Sequence, residues 1–209
     1  MRELLILLLG WLLGILSPII VDKIKQQRTN KEIKNAIINE MNDLEYRLML
    51  FSFRILIQVG KVKQEFLRWA VSIMANYTGP YENKEMYKIM KEKSDLDDAE
   101  LSRRFPAKKR GLRISKMEIP FTASKVDSLS DFSIDFQKLI FSILAQLKNL
   151  NEEITFSLND FDKTFIPNIS DEILENILTN VSEGYNRMAG RAQTIANLIA
   201  QLRIETSSK

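Results

Sequence analysis

Apolar residues recur along this chain at steps of three and four over three long stretches. The first runs from Ile33 through Ile37, Leu44, Phe51 and Phe66 to Ile73 at a mean step of about 3.6 residues, the period of one α-helical face. It predicts one helix over 33–73, with Thr29 and Glu32 as a capping box at its start. Gly60 is a weak point inside that helix, and the turn chemistry of Asn76 to Pro80 ends it. The second stripe, from Leu129 to Phe161, follows a capping-box pattern at Ser128 to Asp131 and stops before Pro167. The third, from Leu174 to Leu202, starts behind Ser170 as N-cap, with Asp171 and Glu172 in a first turn that favours negative charge. Its steps alternate four and three, the 3.5-residue period of coiled-coil-like packing.

A short connection around Pro167 makes the second and third helices an antiparallel hairpin, on which the first long helix packs. The expected fold is all-α, an antiparallel helical bundle built on three long amphipathic helices. Between the first helix and the hairpin lie residues 75–120, a charged insert too long for a structureless loop. Short helices are expected near 82–93 and 94–104.

Ahead of the stripes, residues 4–21 contain no charge, and 13 of these 18 are Leu, Ile or Val. As a helix they reach roughly 27 Å, close to a bilayer's hydrocarbon core. The pattern predicts a transmembrane signal-anchor helix over 1–22 and a body over 23–209. No small-residue cleavage site follows, and the positive charge sits downstream, at Lys23, Lys25, Arg28, Lys31 and Lys34. The positive-inside rule then keeps the body in the cytoplasm and the N-terminus outside, a single-pass arrangement in the cell membrane. This helix can continue into the first long one, since no Gly or Pro separates them. Within the span Gly10 and Gly14 form a GxxxG with Ser17 near the same face, the expected self-association surface of a homo-oligomer. With Ser17 as its only uncharged polar side chain, one such helix makes a poor pore wall.

The chain of 209 residues carries a net charge of +3. That excess gathers in one segment: Arg103, Arg104, Lys108, Lys109, Arg110, Arg113 and Lys116, with no acid between 101 and 117. Segregated charge points to a partner surface more strongly than net charge does. A solvated loop, anionic lipid, nucleic acid or a protein could each account for it. Tethering favours lipid, and the lack of any RNA- or DNA-binding motif counts against nucleic acid.

Composition removes most catalytic chemistry. Without Cys or His there are no disulfides, zinc fingers, thiol nucleophiles or Ser-His-Asp triads. No phosphate-cradling GxxxxGK[ST] or GxGxxG and no GxSxG elbow occurs. Asp95, Asp97, Asp98 and Glu100 lack the Gly and terminal Glu of an EF-hand loop and read as an acidic helix start. No catalytic residue, cofactor or metal is expected, and the chain is read as a non-enzyme. The expected role is a membrane-anchored, self-associating interaction protein with an unidentified protein partner: a scaffold, sensor or membrane-localised effector, stress or phage defence included. The alternative is a tethered module that recognises nucleic acid or acidic lipid through 103–116.

Overall fold

The computed structural model describes residues 2–108, 112, 114–167 and 169–207; the side chains of 2–10, 12, 13, 15, 16 and 207 lie outside that description. Every described secondary element is helical. The elements are α1 (Arg2–Gln58), α2 (Gln64–Asn76), α3 (Lys84–Lys93), α4 (Asp98–Arg104), α5 (Pro120–Ser124), a 3₁₀ turn (Val126–Asp131), α6 (Ile134–Lys163) and α7 (Asp171–Ser207).

α1, α6 and α7 form the expected bundle. Arg191 pairs with Glu153 and Ser133 with Glu205, so α6 and α7 are antiparallel. Glu45 on α1 meets Arg203 on α7, while Ser52 and Leu56 share a cavity with Ala189 and Gly190 further back along α7. α1 therefore also runs antiparallel to α7. Their shared core holds Ile37, Leu44, Leu48 and Ile55 against Ile140, Ile143, Met188, Ala192 and Ile195, all fully buried. Each Ile, Leu or Met among them contributes about 1.5–3 kcal/mol on leaving water.

The first helix is not the 33–73 helix that the stripe predicts. α1 starts far earlier and stops at Gln58, and the chain reverses. Gly60 adopts φ +67°, its N–H donating to Ile57 O at 3.3 Å, and Lys61 N–H donates to Leu56 O at 2.9 Å. Those two bonds are a Schellman C-cap, which needs the left-handed conformation that glycine adopts at little steric cost. A β-carbon at Gly60 would also lie 2.6 Å from Ala107 N. Gly60 is thus a stop, not a weak point. Val59, Val62 and Phe66 keep helical spacing across the turn, which is why periodicity alone joins the two helices.

Beyond the turn, α2 folds back on α1 and brings α3 and α4 with it. A second core forms there from Tyr46 and Met49 of α1 with Val62, Leu67, Ala70, Met90 and Leu101. Tyr46 stacks on Tyr77 at 4.1 Å between ring centroids, and Tyr77 donates a 2.7 Å bond to Asp43. The part of α1 from Ile37 to Gln58 is thereby packed on two sides, by the hairpin and by the α2–α4 cap.

The Thr29–Glu32 capping box does not begin a helix, because α1 passes through it unbroken; Glu32 instead accepts from Arg28 at 3.1 Å. Every side chain from Ser17 to Thr29 is exposed, including Ile19, Ile20, Val21 and Ile24. No helix is long and apolar enough to cross a membrane among the described residues. The span expected over 4–21 falls largely on side chains outside the description, Gly10 among them. At Gly14 an added β-carbon would meet nothing within 4 Å, and Ser17 is exposed.

Candidate functional site

Residues 112 and 114–119 carry no helix; they form an extended strap across the bundle, held by side chains from all three long helices. Tyr185 of α7 accepts from Leu112 N–H at 3.0 Å and donates to Leu112 O at 3.1 Å. Asn151 of α6 does the same for Met117, at 2.8 Å in each direction. From α1, Arg47 donates to Glu118 O at 2.9 Å. Glu40 accepts from Phe121 N–H at 3.0 Å and from Thr122 N–H and Oγ1 at 2.7 and 2.6 Å. A carboxylate taking three donors makes charge-assisted bonds, stronger than neutral ones. These partners supply the bonds that an extended backbone would otherwise seek in a sheet or in water. Burial raises the Tyr185 pKa, opposed by its bond to Leu112, so the hydroxyl keeps its proton and both bonds.

The strap and α1 enclose a groove of about 300 Å³. Arg47, Arg54 and Lys116 line it, over a floor that includes Leu50, Phe51 and Ile114. Arg47 is pinned by Glu118, with its Nε buried and without a partner among the described residues. Arg54 and Lys116 are exposed, and no acid lines the groove among the described residues. On its other side the strap faces α6 across a trough of about 530 Å³, where Lys116 and Lys148 are matched by Glu118 and Glu152. Among the described residues, only the α1 side concentrates one sign of charge.

The basic segment read from sequence splits in three. Arg103 and Arg104 sit in the last turn of α4, where cations suit the helix dipole, and Arg104 pairs with Glu100 at 3.0 Å. Lys108 is exposed, and its backbone exchanges bonds with Gln58, N–H to Gln58 O at 2.9 Å and O from Gln58 Nε2 at 3.1 Å. Lys116 reaches the groove. Lys109, Arg110 and Arg113 lie outside the described residues. Arg47 and Arg54 were missed because they stand some 50 residues upstream, inside a helix read only for its apolar face. Their seven-residue separation, two helical turns on one side, was the available signal.

Three of the four acids in the 95–100 set make local contacts, Glu100 through its pair with Arg104. Asp97 accepts from Glu100 N–H at 2.7 Å as the N-cap of α4, and Asp98 accepts from Gln64 N–H at 2.8 Å at the start of α2. Asp160 pairs with Lys163 at 2.6 Å. A second polar groove, of about 390 Å³, lies between α6 and α7 beside the Glu153–Arg191 pair. Ser157 Oγ and Glu153 Oε2 are buried along it without partners among the described residues, and Ser157 stands against Gly184 at 3.7 Å from the β-carbon glycine lacks.

Compared with known protein families, curated proteins and solved structures, the chain matches none.

Proposed function

We propose that this chain is a single-pass membrane protein whose cytoplasmic helical bundle is an interaction module held away from the bilayer by its own anchor helix. One observation carries the reading. α1 is a single helix of 57 residues, continuous from the uncharged stretch into the core, and its outer part exposes apolar side chains that no described residue covers. Trp11, Ile19, Ile20 and Ile24 are more than half exposed. Apolar surface of that kind belongs against lipid or another protein. The uncharged stretch and the basic flank behind it support the bilayer, with the bundle on the cytoplasmic side. Gly10, Gly14 and Ser17 support a second copy meeting the first within it.

The test is extraction and orientation of the full chain. Membranes washed with alkaline carbonate are expected to retain it, and a reporter at the C-terminus is expected on the cytoplasmic side. Release into the wash, or a reporter on the far side, overturns the anchor. Gly14→Ile is expected to abolish cross-linked dimers while leaving membrane retention intact; undiminished dimers would remove the glycine face from the proposal.

A further inference from the structure

The anchor helix is also a ruler. At 1.5 Å per residue, Arg47 lies roughly 37 Å and Arg54 roughly 48 Å along α1 from residue 22, where the uncharged stretch ends. The field of an anionic leaflet fades within a Debye length of about 8 Å at physiological salt. A groove several such lengths away does not sense the headgroups of its own bilayer. The lipid explanation of the basic segment, attractive on sequence because tethering brings the body near the membrane, loses its premise on a straight α1.

The geometry points to the groove between α1 and the strap, with Arg47, Arg54 and Lys116 on its walls, as a binding site for the phosphodiester backbone of nucleic acid. Excluding the chain's own lipids as ligand rests on the anchor reading; the groove itself does not. Four features support it. Arg47 and Arg54 stand about 10 Å apart in a line along one helix, and the backbone of exposed Lys108 is held beside Gln58 one turn further on, outside the groove's lining. A polyanion with a charge every few ångströms fits such a line, and a compact anion does not. The strap is tied to three helices, so Lys116 is carried on a wall that is already ordered before binding. Arg54 takes part in no ion pair or hydrogen bond within the described chain, and guanidinium is suited to forked contacts with phosphate oxygens. Finally, no acid stands among the described residues that line the groove. The contacts are to the backbone, so binding is expected to be indifferent to sequence.

The test uses the full chain in nanodiscs of neutral phosphatidylcholine, with fluorescence anisotropy of a 20-nucleotide RNA and a 20-base-pair DNA at 50 and 200 mM salt. Binding is expected to saturate and to weaken linearly in log–log terms with salt. Arg54→Gln combined with Lys116→Gln is expected to weaken it about tenfold and to make the slope shallower by roughly 1.5–2. Both side chains are exposed, so loss of fold is not expected, and an unchanged melting curve checks it. Lys88→Gln with Lys138→Gln, on exposed faces of α3 and α6, is expected to change affinity less than twofold. Absence of binding at 50 mM, or equal weakening by both pairs, overturns the site. So does equal, Arg54-dependent binding of poly-glutamate, which assigns the groove to an acidic protein. Arg54-dependent capture of phosphatidylserine vesicles in preference to nucleic acid assigns it to a second membrane. If the anchor reading fails, the chain will not enter nanodiscs; the same titration without lipid then decides the groove independently.

Discussion

Residues 17–29 and residues 37–58 belong to the same helix and are held by different means. The inner half is packed on two sides, Leu44 and Leu48 facing α6 and α7 while Tyr46 and Met49 face the α2–α4 cap. The outer half is exposed throughout, and its support among the described residues is local, such as the Arg28–Glu32 pair. Isolated helices in water are marginal, and pairs of this kind add only about 0.3–0.5 kcal/mol. The inner half therefore owes its shape to this chain. On the proposed reading, a bilayer or a second copy does the same job for the outer half.

That contrast can be broken most severely in the inner half. Leu48→Ala removes a fully buried side chain and is expected to cost about 3 kcal/mol in urea unfolding of the detergent-solubilised chain. Ile24→Ala, at a position 60% exposed, is expected to stay within about 0.5 kcal/mol. Equal effects would mean that the outer half is packed as well.

A smaller effect comes from charge. Burial raises the Glu45 pKa above its ordinary value, and Arg203 opposes that rise with an ion pair and a hydrogen bond. Arg203→Met leaves the carboxylate buried alone, at a cost of about 2 kcal/mol at pH 7, below the usual range for a broken buried pair because Arg203 is partly exposed. The sign with pH follows from the direction of the shift. A carboxyl whose folded pKa exceeds its unfolded one contributes stability below the unfolded pKa and loses it as pH rises through the folded one. The deficit of Arg203→Met is therefore expected to shrink as pH falls from 7 towards 4.5, as the now uncompensated Glu45 takes up its proton. A deficit constant over that range would sink this account. Arg28→Ala, the counterpart in the outer half, is expected to change melting within about 0.5 kcal/mol.

The smallest contrast is between two glycines. Gly60→Ala forces a left-handed turn and a backbone clash with Ala107, for about 1–2 kcal/mol in thermal unfolding. Gly14→Ala meets no neighbour and is expected to leave the melt unchanged or slightly raised.

The sequence pattern yields most where a stripe has a single partner. The hairpin and its Pro167 joint were legible, as were α3 and α4, because breakers and caps bound them. α6 still begins later than its capping box suggests: Ser133, accepting from Phe136 N–H at 3.3 Å, is the N-cap, and the Ser128–Asp131 pattern lies in the 3₁₀ turn. In the third stripe Val181 to Leu202 are buried, but Leu178 is 42% exposed, because the hairpin tip extends past its neighbours. The first stripe misled for a deeper reason. Its residues divide between two cores, and spacing records that a position is buried without recording by what. The strap was illegible for a related reason. Its bonds join residues 34 to 82 positions apart, through Asn151, Tyr185, Arg47 and Glu40, and no local pattern encodes them.

An unbroken helix conserves angle as well as distance. Each residue of α1 turns the chain by about 100°, so the bearing of Gly14 at the outer end is tied to that of Arg54 at the inner end. One residue added between 22 and 30 would swing one end against the other by more than a right angle, whereas seven would restore it to within about 20°. Two copies joined at the outer end would thus present their basic grooves at a fixed relative azimuth, written into the length of the segment between them.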